Sequence, residues 1–452
     1  MNRHELTAAA WKQLDKDHVL HANTLLGAHE QTGALIMVKG EGATVTDIDG
    51  KEYIDGLGAL WLANCGYGRK EMGEVAKQQM EQLHFWSLFW SYGNLPAVEL
   101  ATRLAGLTPQ GLNHFFFTSG GSEANESSIK TARLYHVRRG NPGKTAVIAL
   151  QKAYHGVSYG AMTATGLESV RSNFAPYVEN FHHIASPYCY RCPLAKEYPS
   201  CQLACAHELE KKILELGPEN VAAFMAEPVG GVGGVIEPPA EYFQYVRQIC
   251  DKYEILFIAD EVITGFGRTG TWFGIEHYGV VPDIISCAKG LTSGYMPMGA
   301  SIVHDRVYEV LKGDGTAYFN HGFTYSGHPV AAAVAMENLR ILEAEGLLER
   351  AATLGASARR QLLERNNPYI GDVRGKGLMI GIELVQDRAT KQPPLDPDVH
   401  KKVEMACRAE GLLVRALAGF VIAISPPLVI TEEQLARVIA ILDRAIRTSL
   451  QA

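Results

Sequence analysis

Lys289 closes the apolar run Ile284-Ile285-Ser286-Cys287-Ala288 and is followed by Gly290. An amine in such a setting is costly to bury, because desolvation penalises its charged form. The same penalty lowers its pKa and keeps a free amine near neutral pH, the form that attacks a carbonyl to give a Schiff base. A second reactive group ends the run Ile255-Leu256-Phe257-Ile258-Ala259: the carboxylate of Asp260. A strand there would put it at the C-terminal edge of a sheet, where open α/β folds bind ligands. It could pair with a cationic ring nitrogen or cap the next turn. A third feature follows HFFFT, where Ser119, Gly120, Gly121 and Ser122 lead into a helix. Small residues let the backbone approach a ligand, and the helix N-terminus offers free N–H groups to an anion such as phosphate. Alone, such a turn is a common strand-to-helix connection.

One cofactor needs all three. Pyridoxal phosphate takes a helix N-terminus for its phosphate, a carboxylate for its pyridinium nitrogen and an amine for its aldehyde.

These groups need a scaffold, and the sequence supplies an α/β one. From about 111 to 303 the apolar segments HFFFT, AVIAL, VAAFMA, ILFIA, IISCA and ASIV alternate with helical stretches, including 122–138 and 240–253; a further helix is expected over 329–345. That alternation predicts a mostly parallel sheet between helices. Upstream, ATVTDIDGKEYI reads as a hairpin turning at Asp49-Gly50. Downstream of 345 the expected order is a helix, strands in VRGKGLMIGIELV, GLLVRA and FVIAIS, and a last helix. Thr431 and Gln434 form the capping box of that helix. The predicted division is a large cofactor-binding domain over 71–340 and a smaller α+β domain from 1–70 and 341–452.

In this order, from about residue 40 to the end, FFFTSGGSEANESSIK, YHGVSYGAM, AEPVGGVGGV, FIADEVITGFGRTGTWFG, PDIISCAKGL, HGFTYSGHP and GLLVRALAGFVIAISPPL resemble the class III aminotransferases. These are ω-amino acid and amine:pyruvate enzymes of pyridoxal phosphate fold type I, which implies an α/β large domain with a mostly parallel sheet of the seven-stranded type. The resemblance implies roles. Lys289 would hold the cofactor aldehyde and then move the substrate proton. Asp260 would keep the ring nitrogen protonated. Val262 would pack on one ring face, and Tyr154, beside His155, on the other, although both Val262 and Tyr154 also suit a plain core. Ser119, Gly121 and Ser122 would take the phosphate, and Glu227 would lie near the ring oxygen. Thr324 would reach the phosphate of a second subunit, or else serve as a turn hydroxyl. A shared active site of that kind implies a homodimer, or a tetramer built of dimers.

Specificity turns on a departure from the family pattern. Members acting on ornithine or γ-aminobutyrate carry a second glutamate five positions after the one matching Glu227, and it masks a C-terminal arginine. Here that position is Val232. Arg415 is therefore expected to be free to bind a carboxylate, as in the amine:pyruvate branch. Gly230 also stands where many relatives have glutamine. Trp61 and the HFWSLFWSYG segment with Phe89 are expected to line a large apolar entrance, with Tyr154 and Arg415 completing the substrate residues. The expected reaction is a ping-pong transfer from a primary amine or ω-amino acid to a 2-oxo acid, pyruvate foremost. Alternatives are an aminomutase, racemase or decarboxylase of the same fold, or a non-enzymatic metal-binding protein on this scaffold.

Four of the eight cysteines fall outside this frame. Cys189, Cys192, Cys201 and Cys205 are spaced C-x2-C-x8-C-x3-C in a loop. Four thiolates suit tetrahedral zinc or an iron–sulfur cluster, although two disulfides or free thiols remain open. Composition narrows the rest. The 452 residues carry a net charge of -7 with no basic block, which argues against nucleic acid or an anionic membrane as partner. The N-terminal stretch MNRHELTAAAWKQLDKDHVLH mixes charge into short apolar runs, unlike a signal peptide or a membrane span. The expected location is the cytoplasm.

Overall fold

Seven strands build the expected sheet: β1 (Leu112–Thr118), β2 (Ala146–Leu150), β3 (Phe181–Ile184), β4 (Val221–Ala226), β5 (Leu256–Asp260), β6 (Ile284–Cys287) and β7 (Gly299–His304). This computed structural model describes residues 6–316 and 318–451; the first five residues of the N-terminal stretch read above lie outside the described residues. The spatial order is β1-β7-β6-β5-β4-β2-β3. Neighbours from β6 to β3 run parallel, and β7 runs antiparallel to both of its partners. Every residue of β2, β4, β5 and β6 is buried. Strands buried along their whole length require cover on both faces. Helices supply it, among them Gly121–Arg138, Tyr242–Lys252 and Pro329–Ala344, each within two residues of its expected bounds. Edge strand β3, Phe181-His182-His183-Ile184, is half-buried along most of its length, and its two histidines hide it from an apolar-run reading.

Strands Thr44–Asp47 and Glu52–Asp55 pair antiparallel around Gly50, whose φ is +83°. Asp47 fixes the turn by accepting the N–H groups of Asp49 (3.0 Å) and Lys51 (2.9 Å). Met37–Glu41 and, in parallel, Leu412–Leu413 complete that sheet, so the two ends of the chain share it. A second four-stranded sheet joins Ile370–Lys376, Met379–Leu384, Val421–Ile424 and Arg415–Leu417. Helix Val399–Ala409 was absent from the expected order. Its buried residues Val399, Val403 and Cys407 recur every fourth position, a helical stripe diluted by the polar residues between them. The last helix, Glu432–Gln451, is capped reciprocally by Thr431 and Gln434 at 3.0 and 3.1 Å.

Arg268 ties the sheet's loops to the C-terminal segment. Its buried guanidinium donates to the carbonyls of Leu378 (3.1 Å) and Pro426 (2.6 Å) and to Asn64 Oδ1 (2.6 Å). Burial lowers its pKa to about 10. Among the described residues no helix is long and apolar enough to cross a membrane.

Candidate active site

Three adjacent strand ends meet at the C-terminal edge of the sheet. Glu227 follows β4, Asp260 ends β5, and Lys289 follows β6. The parallel register sets Asp260 opposite Ser286, so Lys289 emerges one short turn beyond the carboxylate. Lys289 itself has φ +44°, a left-handed backbone that costs a non-glycine residue roughly 1 to 3 kcal/mol. Burial pulls its ammonium down to about 8, against the opposing pull of Asp260 and Glu227, while Arg415 adds to the lowering. The amine is thus partly neutral near physiological pH.

Asp260 is buried and held from three sides. Asn125 Nδ2 donates to its Oδ2 at 2.8 Å, the His155 Nδ1–H donates to the same oxygen at 2.7 Å, and the Val262 N–H donates to Oδ1 at 3.0 Å. Asn125 was not singled out in the sequence. The available signal was the run SEANESS on a helix whose face must pack on the sheet, where buried polar residues need partners.

The phosphate end is built by helix Gly121–Arg138, which no side chain caps. Its first-turn N–H groups are therefore free for an anion. Close packing fixes the turn: a Cβ on Gly121 would meet Val262 Cγ1 at 2.7 Å, and one on Gly156 would meet Ser122 Oγ at 2.4 Å. Ser122 Oγ accepts the Val157 N–H at 3.2 Å, and the Ser119 N–H donates to Glu123 at 2.8 Å.

Glu227 accepts the N–H groups of Tyr154 (3.0 Å) and Gly231 (2.8 Å), and burial raises its carboxyl to about 7. Burial also raises the Tyr154 phenol, with Arg415, Asp260 and Glu227 as the charges acting on it. Arg415 is half-buried at the start of its strand. Burial lowers its pKa, with Tyr154 and Glu404 opposing that shift. Val232 packs beside Trp61, Leu417 and Val421 in an apolar cluster next to that strand. Lys289, Asp260, Glu227, Tyr154 and Arg415 are thus brought together. Trp61 is 2% exposed and lies within the apolar cluster. Phe89 lies apart, on an open groove of about 1220 Å³ shared with Trp90, Phe116, Tyr318 and Phe319. Thr324 is exposed.

Pyridoxal phosphate fits these residues. An uncapped helix end, a carboxylate oriented by three donors and a desolvated amine stand on one sheet edge, one for each of the cofactor's phosphate, ring nitrogen and aldehyde.

The remaining candidates, Cys189, Cys192, Cys201 and Cys205, line a small cavity of their own, and none is in a disulfide.

Comparison with known proteins agrees with the geometry. Residues 26–446 match the family model described as aminotransferase class-III. A putrescine–pyruvate aminotransferase of Pseudomonas aeruginosa is 43% identical over 433 residues, covering 95% of this chain and 94% of that one. A taurine–pyruvate aminotransferase of Bilophila wadsworthia is 36% identical, with 96% of both chains covered. The crystal structure of a thermostable (S)-enantioselective omega-transaminase from Thermomicrobium roseum superposes with a TM-score of 0.94 at 44% identity, over 98% of this chain and 99% of that one. Match and site geometry together identify this chain as a pyridoxal phosphate-dependent member of the class III aminotransferases.

Proposed function

We propose that the enzyme moves the amino group of a primary amine or ω-amino acid to pyruvate, giving alanine and an aldehyde or ketone. The observation that carries this is an Arg415 without a carboxylate partner, together with a valine at position 232. Arg415 is half-buried and, among the described residues, in no ion pair, and the position that could mask it holds an apolar side chain packed against the cluster that contains Trp61. An unmasked guanidinium holds the carboxylate of a 2-oxo acid in bidentate fashion. The apolar cluster beside it tolerates a donor without a carboxylate. Relatives named for putrescine and taurine with pyruvate support the same choice of acceptor.

The bound cofactor supplies a carbonyl for amine exchange and a ring that delocalises the electron pair left when the substrate carbon loses its proton. The chain's residues do the rest. Asp260 keeps the ring nitrogen protonated, and Asn125 and His155 keep Asp260 in place. The helix end at Gly121 and Ser122, with Ser119, holds the phosphate. Val262 and Tyr154 would enclose the ring, and Glu227 would serve its oxygen side. Lys289 Nζ would hold the cofactor's carbonyl carbon in the resting enzyme and, once free, would serve as the base that takes the proton from the substrate carbon. Trp61 borders the donor, and Phe89, which lies apart on the groove, would reach a donor only across a subunit boundary.

That groove, the exposed Thr324 and the exposed Trp86, Trp90 and Tyr318 support a homodimer or a tetramer of dimers with shared sites. The large domain is assigned to 71–340 and the small one to 1–70 and 341–452, supported by the Leu412 to Ile54 pairing. Unpaired thiols suit a cytoplasmic setting. The four clustered cysteines belong to a structural metal site, iron–sulfur or zinc, outside the chemistry.

The test is a donor panel with pyruvate. Alanine should form together with the deaminated donor in equal amounts. A donor that is isomerised, racemised or decarboxylated without alanine appearing would overturn the assignment.

A further inference from the structure

Between Pro187 and Leu203 the chain forms no strand or helix. Ala195, Gln202 and Leu203 nevertheless hold left-handed backbone, with φ of 52°, 50° and 55°. Such a conformation costs a residue with a Cβ roughly 1 to 3 kcal/mol and persists only where the surroundings fix it. Much of the loop is exposed, so its own apolar packing is thin. What converges beneath it is sulfur: Cys189, Cys192, Cys201 and Cys205 line one small cavity, with Leu203 and Pro239 beside them and Lys196 at its edge.

The spacing of the sulfurs separates the two metal chemistries. A zinc–sulfur bond of about 2.3 Å in tetrahedral geometry holds thiolates about 3.8 Å apart. No three of these sulfurs lie within 4.8 Å of one another. The set is too wide for one ion, while thiolates at the corners of a four-iron cube stand roughly 6 Å apart. We propose that these four cysteines bind a four-iron, four-sulfide cluster, and that the cluster braces the wall of the cofactor pocket. Each thiol loses its proton and binds one iron. Lys196 offsets part of the net negative charge of such a site.

The brace can be followed residue by residue. Tyr188, next to Cys189, donates to the buried carboxylate of Glu383, as does Arg191 between the ligands. Arg374 lies over the Tyr188 ring at 4.8 Å and donates to Glu383 at 2.8 Å. The same guanidinium holds the carbonyls of Gly234 (2.7 Å) and Val235 (3.1 Å). Those residues close the turn that begins at Glu227 and carries Val232. The proposal takes from the function above only that the four thiols are metal ligands; it does not depend on which amine is the substrate.

The test is protein purified without oxygen and assayed for iron, zinc and acid-labile sulfide. About four irons and four sulfides per chain are expected, with a Mössbauer spectrum of a cubic cluster. Cys192→Ser and Cys201→Ser should each lose most of the iron and release pyridoxal phosphate several-fold faster on dilution. Lys289→Ala, inactive in transamination, should keep its full iron, which separates failure of the cluster from failure of the catalytic assignment. One zinc per chain without sulfide would overturn the proposal. So would disulfides, iron unchanged in both serine variants, or four reactive thiols in protein that takes up no iron and sulfide on anaerobic reconstitution.

Discussion

Asn125→Ala is the most informative change at the ring-nitrogen end of the site. The carboxamide Nδ2 donates to Asp260 Oδ2 at 2.8 Å and to the His155 carbonyl at 2.6 Å, and the side chain is 1% exposed. Truncation removes a hydrogen bond to a charged, buried group, worth about 1.5 to 3 kcal/mol. It also leaves the His155 carbonyl unpaired. If that bond positions Asp260 against the ring nitrogen, the loss falls on the transition state, and about 1.4 kcal/mol per tenfold converts it to a roughly 10- to 100-fold drop in kcat/KM. The assay is the amine half-reaction at saturating cofactor, with cofactor affinity and melting temperature measured in parallel. Adding His155→Ala should cost less than the sum of the two single changes, since both donors serve the same oxygen. A variant within threefold of wild type in kcat/KM, with the cofactor fully bound, would refute a positioning role.

Other outcomes follow from the same geometry. Burial depresses Lys289 from 10.5 to about 8, so the unfolded chain holds this proton over a window in which the folded one has released it. Cofactor-free wild type should therefore gain melting temperature relative to Lys289→Met as pH rises from about 8 towards 10.5, with no gain from this group below 8; parallel curves would contradict the desolvation argument. Arg415→Leu should raise the KM for pyruvate about 10- to 100-fold, the loss of a charged hydrogen-bonded pair, while the half-reaction with an apolar amine stays near wild type. Gly156→Ala would place a Cβ 2.4 Å from Ser122 Oγ at a φ of +127°, and equilibrium dialysis should show weakened cofactor binding with the fold retained by circular dichroism.

The parts of the fold that were legible share one property: their signal is local. Strands β2 and β4 are unbroken apolar runs, β5 and β6 are apolar apart from Asp260 and Ser286, and Gly50 and Thr431 mark a turn and a cap by residue type alone. Lys289 and Asp260 stood out because a charge at the end of such a run is conspicuous. Asn125, Arg268 and Glu383 did not, because their importance lies in partners up to 204 positions away, which no local pattern encodes. Strand β3 was hidden by its histidines, and helix Val399–Ala409 by the dilution of its stripe. The cysteines were legible as a set; the width of their arrangement was not, since it depends on how the 187–203 loop folds back on the helix that begins at Ala204.

The central claim is that Lys289 is the amine that holds the cofactor. Borohydride reduction of the holoenzyme, followed by proteolysis and mass spectrometry, tests it directly. The account predicts loss of the visible absorbance and a single phosphopyridoxyl adduct on the peptide containing Lys289. An adduct on another lysine, or a reduced protein that still releases free cofactor, would contradict it.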